Sequence, residues 1–315
     1  HTGRIPHHIP KKSISGGMET RFNNNDDANT TSIKLNGGLN HFAWHLDATR
    51  KDSDDYKITG DAESARLHAL EEAEAGPGTE EHEEPSGDTL PGSAFKFESA
   101  AIGGSYIKDW GFIGLSISDT DATYGLPGHA EHHDEEGEEG EEEGEEHHDE
   151  EGETATLVLK QTRTDFELGL DNPFDAISSI NVRVGVNDYE HQEIEPNGEV
   201  ATLFSNQAWE SRAELIFDAG EWTNAVGAQY SQRDFSAIGE EAFIQPVDSS
   251  ESGIFWLAER SLSRFDLEAG LRIGQTKHKP SAALSKDFSN YSASLGAIIP
   301  LSDAWQLNII ADYSS

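Results

Sequence analysis

Phe265-Asp266-Leu267-Glu268-Ala269-Gly270-Leu271-Arg272-Ile273-Gly274 alternates apolar and polar or small residues without a slip. Successive side chains of a β-strand point to opposite faces, so this period of two writes one apolar face and one polar face. The pattern recurs almost everywhere. Ile14, Gly16, Met18, Thr20 and Phe22 alternate with Ser15, Gly17, Glu19 and Arg21; Ile113, Leu115 and Ile117 share a face, as do Ile180, Val182, Val184 and Val186. Trp209, Ala213, Leu215 and Phe217 repeat it, then Tyr291 through Ile299 and Trp305 through Tyr313. About thirteen strands of this kind can be counted.

A soluble sandwich also alternates, so the connections have to decide. Short ones fall at Gly38–His41, Lys108–Gly111, Asn172–Ile177, Ala219–Glu221, Ser261–Arg264 and Pro300–Ala304. Long acidic ones are expected at 52–97, 119–154, 188–205, 236–251 and 275–288. Short turns at one rim and long polar loops at the other are the signature of a transmembrane β-barrel of the outer-membrane kind. Aromatic residues near the short turns (Phe42, Trp44, Trp110, Phe112, Phe174, Trp222, Phe265 and Trp305) fit an interfacial girdle. The fold class is therefore all-β, an antiparallel transmembrane barrel with long extracellular loops. A short helix is expected within Asp61–Ala75, with Leu67 and Leu70 on one side and Gly76-Pro77-Gly78 ending it.

Composition removes several function classes. The 315 residues carry a formal charge of −38, which excludes nucleic acid as a partner because phosphate binding needs a basic surface. There is no cysteine, so thiol catalysis, disulfide scaffolds and cysteine zinc sites are out. A mean hydropathy of −0.63 is no argument against a barrel, whose lipid face occupies only every second residue. Neither a Ser-His-Asp constellation nor an HExxH stretch is present, and an enzyme is not expected.

The charge peaks in residues 129–153, which hold five histidines, fifteen acids, four glycines and one alanine. Such a run has no apolar face and repels itself, so it belongs in solvent as a loop. The histidines stand at its two ends: His129, His132 and His133, then His147 and His148, with Glu131, Asp134 and Asp149 beside them. Neutral imidazole with carboxylate suits zinc, and less selectively nickel or copper; carboxylate alone suits calcium or magnesium. The plain alternative is an inert solubilising charge run. His191 and Glu195 are further metal candidates, since alternation from Val186 turns the odd positions inward. A simple polar loop residue is the competing reading of His191.

Several stretches together carry a resemblance. Gly3-Arg4-Ile5-Pro6 resembles the segment that joins plug to barrel in TonB-dependent outer-membrane receptors. Ser64-Ala65-Arg66, Leu90-Pro91-Gly92-Ser93, Tyr124 through His129, Tyr189 through Glu195 and Glu210 through Leu215 are similar to the zinc-uptake branch of that family. The resemblance implies a plug inside a barrel of about 22 strands, with residues 1–12 as the connector after the plug and 13–315 as the N-terminal part of the barrel. Signal peptide, TonB box and plug do not appear in this stretch, and Ser315 is not the terminal aromatic such barrels carry. The implied partners are outer-membrane lipid, a divalent metal, and the TonB–ExbB–ExbD complex acting through the plug. The implied function is active uptake of a divalent metal, with zinc as the transported or captured ion and no organic cofactor. Two rivals remain: a receptor of the same kind for an iron chelate, nickel, copper or cobalamin, and a passive porin or metal-buffering surface protein.

Overall fold

The computed structural model describes residues 3–60, 66, 89–127, 155–239, 242, 244–302 and 304–315. The expected helix at 61–75 lies outside these residues except for Arg66, which is helical. Among the described residues thirteen strands follow one another: β1 (Ile14–Asn23), β2 (Ala28–Leu39), β3 (Phe42–Ser53), β4 (Phe95–Lys108), β5 (Gly111–Gly125), β6 (Thr156–Phe174), β7 (Ile177–Ile194), β8 (Val200–Ala219), β9 (Trp222–Gly239), β10 (Val247–Ser261), β11 (Asp266–Pro280), β12 (Lys286–Ser302) and β13 (Trp305–Ser314). Each pairs antiparallel with its sequence neighbours in a single sheet of order β1 to β13. This is the meander that hairpin connections produce, and β1 and β13 are its edges.

The register assigns every residue a face. Gly253↔Gly274, Phe255↔Arg272 and Glu259↔Glu268 align one face of β10 and β11, and Arg272↔Ser292 and Glu268↔Gly296 carry it onto β12. Leu271, Ile273 and Leu295 lie on the other face and are 52%, 70% and 60% exposed. Ile113, Leu115 and Ile117 stand on that same apolar face and are exposed too. A soluble sheet would cover such a face with a second layer; a lipid-facing wall leaves it open. The opposite, polar face is the inner one, and residues 3–12 run across it.

Five of the six short connections tighten to two residues, and the one between β10 and β11 keeps four, 262–265. Leu39↔Phe42, Lys108↔Gly111 and Ala219↔Trp222 are closing pairs. Asn40 (φ 54°) and Gly220 (φ 66°) supply the left-handed backbone that such hairpins need.

The expected long loops are shorter than the charge pattern suggested. β7 continues to Ile194 and β8 begins at Val200, so 188–205 is mostly ladder. The 119–154, 236–251 and 275–288 stretches shrink to 126–155, 240–246 and 281–285. The reason is that backbone pairing continues above the apolar belt, where polar side chains can face water on both sides. On the same rim, β1 and β2 are joined by Asn24–Asp27 alone. Phe112 also departs from the expected girdle: it stands on the inner face, stacked on His7 with ring centroids 4.2 Å apart.

These faces predict an asymmetry. Leu271→Lys, about midway along the apolar belt, should cost about 2–4 kcal/mol of stability in lipid vesicles. Ser292→Asn on the inner face should change stability by less than about 0.5 kcal/mol. Urea unfolding of the folded barrel in phospholipid vesicles measures both. Equal costs at the two positions would contradict the assignment of faces.

Candidate functional site

His129, His132, His133, His147, His148, Glu131, Asp134 and Asp149 all lie outside the described residues. The stems of their loop are described. Gly125 pairs with Thr156, and Leu126 N–H donates to Ala155 O at 3.0 Å. The loop therefore leaves the wall between β5 and β6, at the rim opposite the two-residue turns.

His191 lies close to those stems. The register Leu159↔His191↔Phe204 puts it on the inner face of β7, as expected from alternation. Its ring stacks on Phe204 with centroids 4.3 Å apart and 21° between planes. Nδ1 sits 3.0 Å from the Tyr189 hydroxyl. A strand crosses the hydrocarbon in about 9–11 residues from its short turn, so His191 stands above that depth. Burial among these rings lowers its basicity below that of an ordinary imidazole, because a charged ring loses hydration there. That favours the neutral ring, the form that coordinates metal.

Glu195 is placed differently. It belongs to the turn after β7, where its N–H donates to Glu199 O at 2.9 Å and Asn197 Nδ2 donates to its carboxylate at 3.1 Å. The two candidates are thus on one rim, with Glu195 engaged in its own turn. Among the described residues, no three His, Asp or Glu side chains converge into a metal cage. His191 offers one ligand on an aromatic ledge.

Below this ledge the inner wall is charged. Asp165, Glu210 and Glu251 fall in one cross-strand row, from Asp165↔Gly185↔Glu210↔Ser231↔Glu251. Arg163 joins two of them: it donates to Asp165 at 2.9 Å and to Glu210 at 3.4 Å. Arg212 donates to Glu214 at 2.9 Å and lies over the Phe255 ring at 4.3 Å. Arg183 and Arg272 share this face by register. Overall counts hide this arrangement, because the arginines gather on the inside while the acids dominate the loops.

The most enclosed cluster was not anticipated from the residues. His45 on β3 is 1% exposed. Its Nδ1 faces Asn36 Oδ1 at 2.7 Å and its Nε2 faces Asp47 Oδ2 at 2.8 Å. Arg4 closes over the same carboxylate, with Nε 3.2 Å from Oδ2 and a terminal nitrogen 3.3 Å from Oδ1. Ile5, next in sequence, is 6% exposed in a groove of small residues: Gly103, Ser105, Gly114 and Ser116. His7 lies 2.8 Å from Glu167, and Ile9 and Pro10 rest on Gly38. The sequence signal was present but faint: small residues alternating along β4 and β5 exactly where a second chain segment has to fit would only be read as weak strand.

That groove yields a test. A Cβ at Gly103 would stand 2.0 Å from the Arg4 carbonyl oxygen, a backbone atom that cannot turn aside. Gly103→Ala should push residues 4–6 off the wall at a cost of about 1–3 kcal/mol. Amide hydrogen exchange at Ile5 and its neighbours should accelerate while β4 and β5 stay protected. Unchanged exchange would mean that the segment does not depend on the groove.

No known protein-family profile matches the sequence. Solved structures do match. The FrpB iron transporter from Neisseria meningitidis (F3-3 variant) superposes with a TM-score of 0.71 at 13% identity, over 96% of this chain and 46% of that one. The copper transporter OprC gives 0.64 at 12% identity, over 99% and 46%. The ferric citrate transporter FecA in its unliganded form gives 0.54 at 12%, over 99% and 48%. The chain thus spans about half the length of the structures it matches, and its sheet has the fold of their β-barrel walls.

Proposed function

We propose that this chain is the N-terminal part of the barrel of a TonB-dependent outer-membrane receptor that takes up a divalent metal, with zinc as its cargo. The observation that carries the reading is one of placement. The stretch with five histidines and fifteen acids is strung between β5 and β6. His191, facing inward, stands one strand further on beside the same stems. The capture loop concentrates cations through its charge, and imidazole then rewards zinc over sodium or magnesium. His191 is the inner-wall imidazole the ion would meet beneath the loop, with Glu193 above it on the same face. Opening the path falls to the plug and to the TonB–ExbB–ExbD complex, and the short turns face the periplasm.

A second reading has its own support. Arg163, Arg183 and Arg212 on the inner wall, under the rings of Tyr189 and Phe204, offer charge and flat apolar surface to an anionic iron chelate. Iron and copper transporters are both among the structures with this fold.

Uptake separates the two. Cells starved of zinc and making the full receptor should accumulate radioactive zinc, with ferric chelates failing to compete. Replacing the five loop histidines by Asn should reduce uptake several-fold at sub-micromolar zinc. The loop's contribution should fade as pH falls through ~6.5, since protonated imidazole cannot coordinate. Calorimetry on a peptide spanning 126–153 should give zinc binding that calcium does not match. Zinc uptake that ignores the histidines and yields to a ferric chelate would establish the second reading instead.

A further inference from the structure

We infer that His45 and Asp47 form a second cation site on the inner wall, in which the Arg4 guanidinium is the resident cation and a divalent metal ion is its competitor. The inference rests on the metal-uptake reading and extends it by a site deep in the wall, on β3 and away from the loop.

The geometry of the imidazole is the starting point. Asn36 Oδ1 lies 2.7 Å from Nδ1 and accepts a hydrogen bond there. The same ring orientation sets Nε2 against Asp47 Oδ2 at 2.8 Å, within hydrogen-bond distance. A carboxylate only accepts, so a proton lies between the two atoms, and a metal ion on Nε2 and Oδ2 would take that proton's place. A ring nitrogen whose partner nitrogen is held by an oxygen, facing a carboxylate, is the arrangement found around histidine-bound metals. The ring is 1% exposed, so it is held in this orientation.

The carboxylate is the shared element. Arg4 reaches both of its oxygens, at 3.2 and 3.3 Å, and the first of these is the oxygen that also faces His45. A metal on Nε2 and Oδ2 would share that carboxylate with a guanidinium of the same sign, so the two cations compete for it. The Asp47 side chain is 28% exposed, and Arg4 20%. A cavity of about 600 Å³ adjoins it, lined by Asn36, His45, Asp47, Ser32, Thr49, Glu19 and Lys34. It gives an ion a way in and leaves room for water to complete its shell. Lys34 opposes a cation there and Glu19 favours one. With two protein donors, the affinity is modest, as a transit site requires.

The consequence is mechanical. Arg4 is one of the points that hold residues 3–12 to the wall, with Ile5 in the small-residue groove, His7 on Glu167 and Phe112, and Ile9 and Pro10 on Gly38. An ion arriving at Asp47 would release the first of these. Occupancy of the inner wall would thereby loosen the segment that leads into β1.

The test uses the full receptor in detergent, with the five loop histidines replaced by Asn and zinc chloride as the probe. Calorimetry should show a weak site that gains about tenfold in affinity in Arg4→Gln, where the competitor is gone, and loses tenfold or more in Asp47→Asn and in His45→Gln. Zinc should also accelerate amide exchange at residues 4–9 in the variant that keeps Arg4. Arg4→Lys, which keeps the charge, should not show the gain. If Arg4→Gln leaves zinc affinity unchanged, or if zinc leaves exchange at 4–9 unchanged, the cluster is a structural latch and the inference is overturned. A parallel titration of the receptor with its loop histidines intact separates the two levels. Zinc bound by the loop and not by the wall defeats this inference alone; zinc bound by neither defeats the metal-uptake reading as well.

Discussion

Backbone hydrogen bonding in lipid is the constraint from which the rest of this structure follows. In the hydrocarbon no water can satisfy an N–H or C=O, and each unpaired group costs several kcal/mol. A meander of thirteen antiparallel strands meets that demand strand by strand, with every interior strand paired on both sides. Once the ladder is fixed, alternation does the remaining sorting. Leu271, Ile273 and Leu295 go to one face, and Arg272, Ser292 and Glu268 to the other. The inner face is then free to be polar, and it carries His191, the arginines of the wall and the His45–Asp47 pair.

That division explains why the fold was legible in the sequence. Register follows from a period of two, and a slip by one residue would turn Leu267 through Ile273 inward at once. Turn positions were legible for the same reason: Ala219-Gly220-Glu221 interrupts the alternation and contains the residue its backbone needs. Loop length was less so. The stretch 188–199 is rich in acids and other polar residues, which resembles a loop by composition, yet backbone pairing carries β7 to Ile194 and β8 back to Val200. Polarity marks where a strand leaves lipid rather than where it ends.

The candidate site divides along a similar line. Inward placement of His191 could be read by counting from Val186, because it depends only on period. Its stacking on Phe204, and the engagement of Glu195 within the 195–199 turn, depend on cross-strand register and turn geometry. The Arg4–Asp47–His45 cluster joins residues 43 positions apart through a segment crossing several strands. Local pattern carries no trace of such a contact. Gly103 and Gly114 are the nearest thing to a written signal, since both stand where a side chain would collide with Arg4 or Ile5.

The central claim is that one face of this sheet meets lipid and the other encloses a polar interior. A spin-label scan along β11, one cysteine at a time from Asp266 to Gln275 in the full barrel reconstituted in bilayers, tests it most directly. Collision rates with dissolved oxygen should peak at 267, 269, 271 and 273, and those with a water-soluble nickel chelate at the even positions between them. A flat profile, or oxygen and nickel peaks at the same positions, would contradict the two-faced wall and everything placed on it.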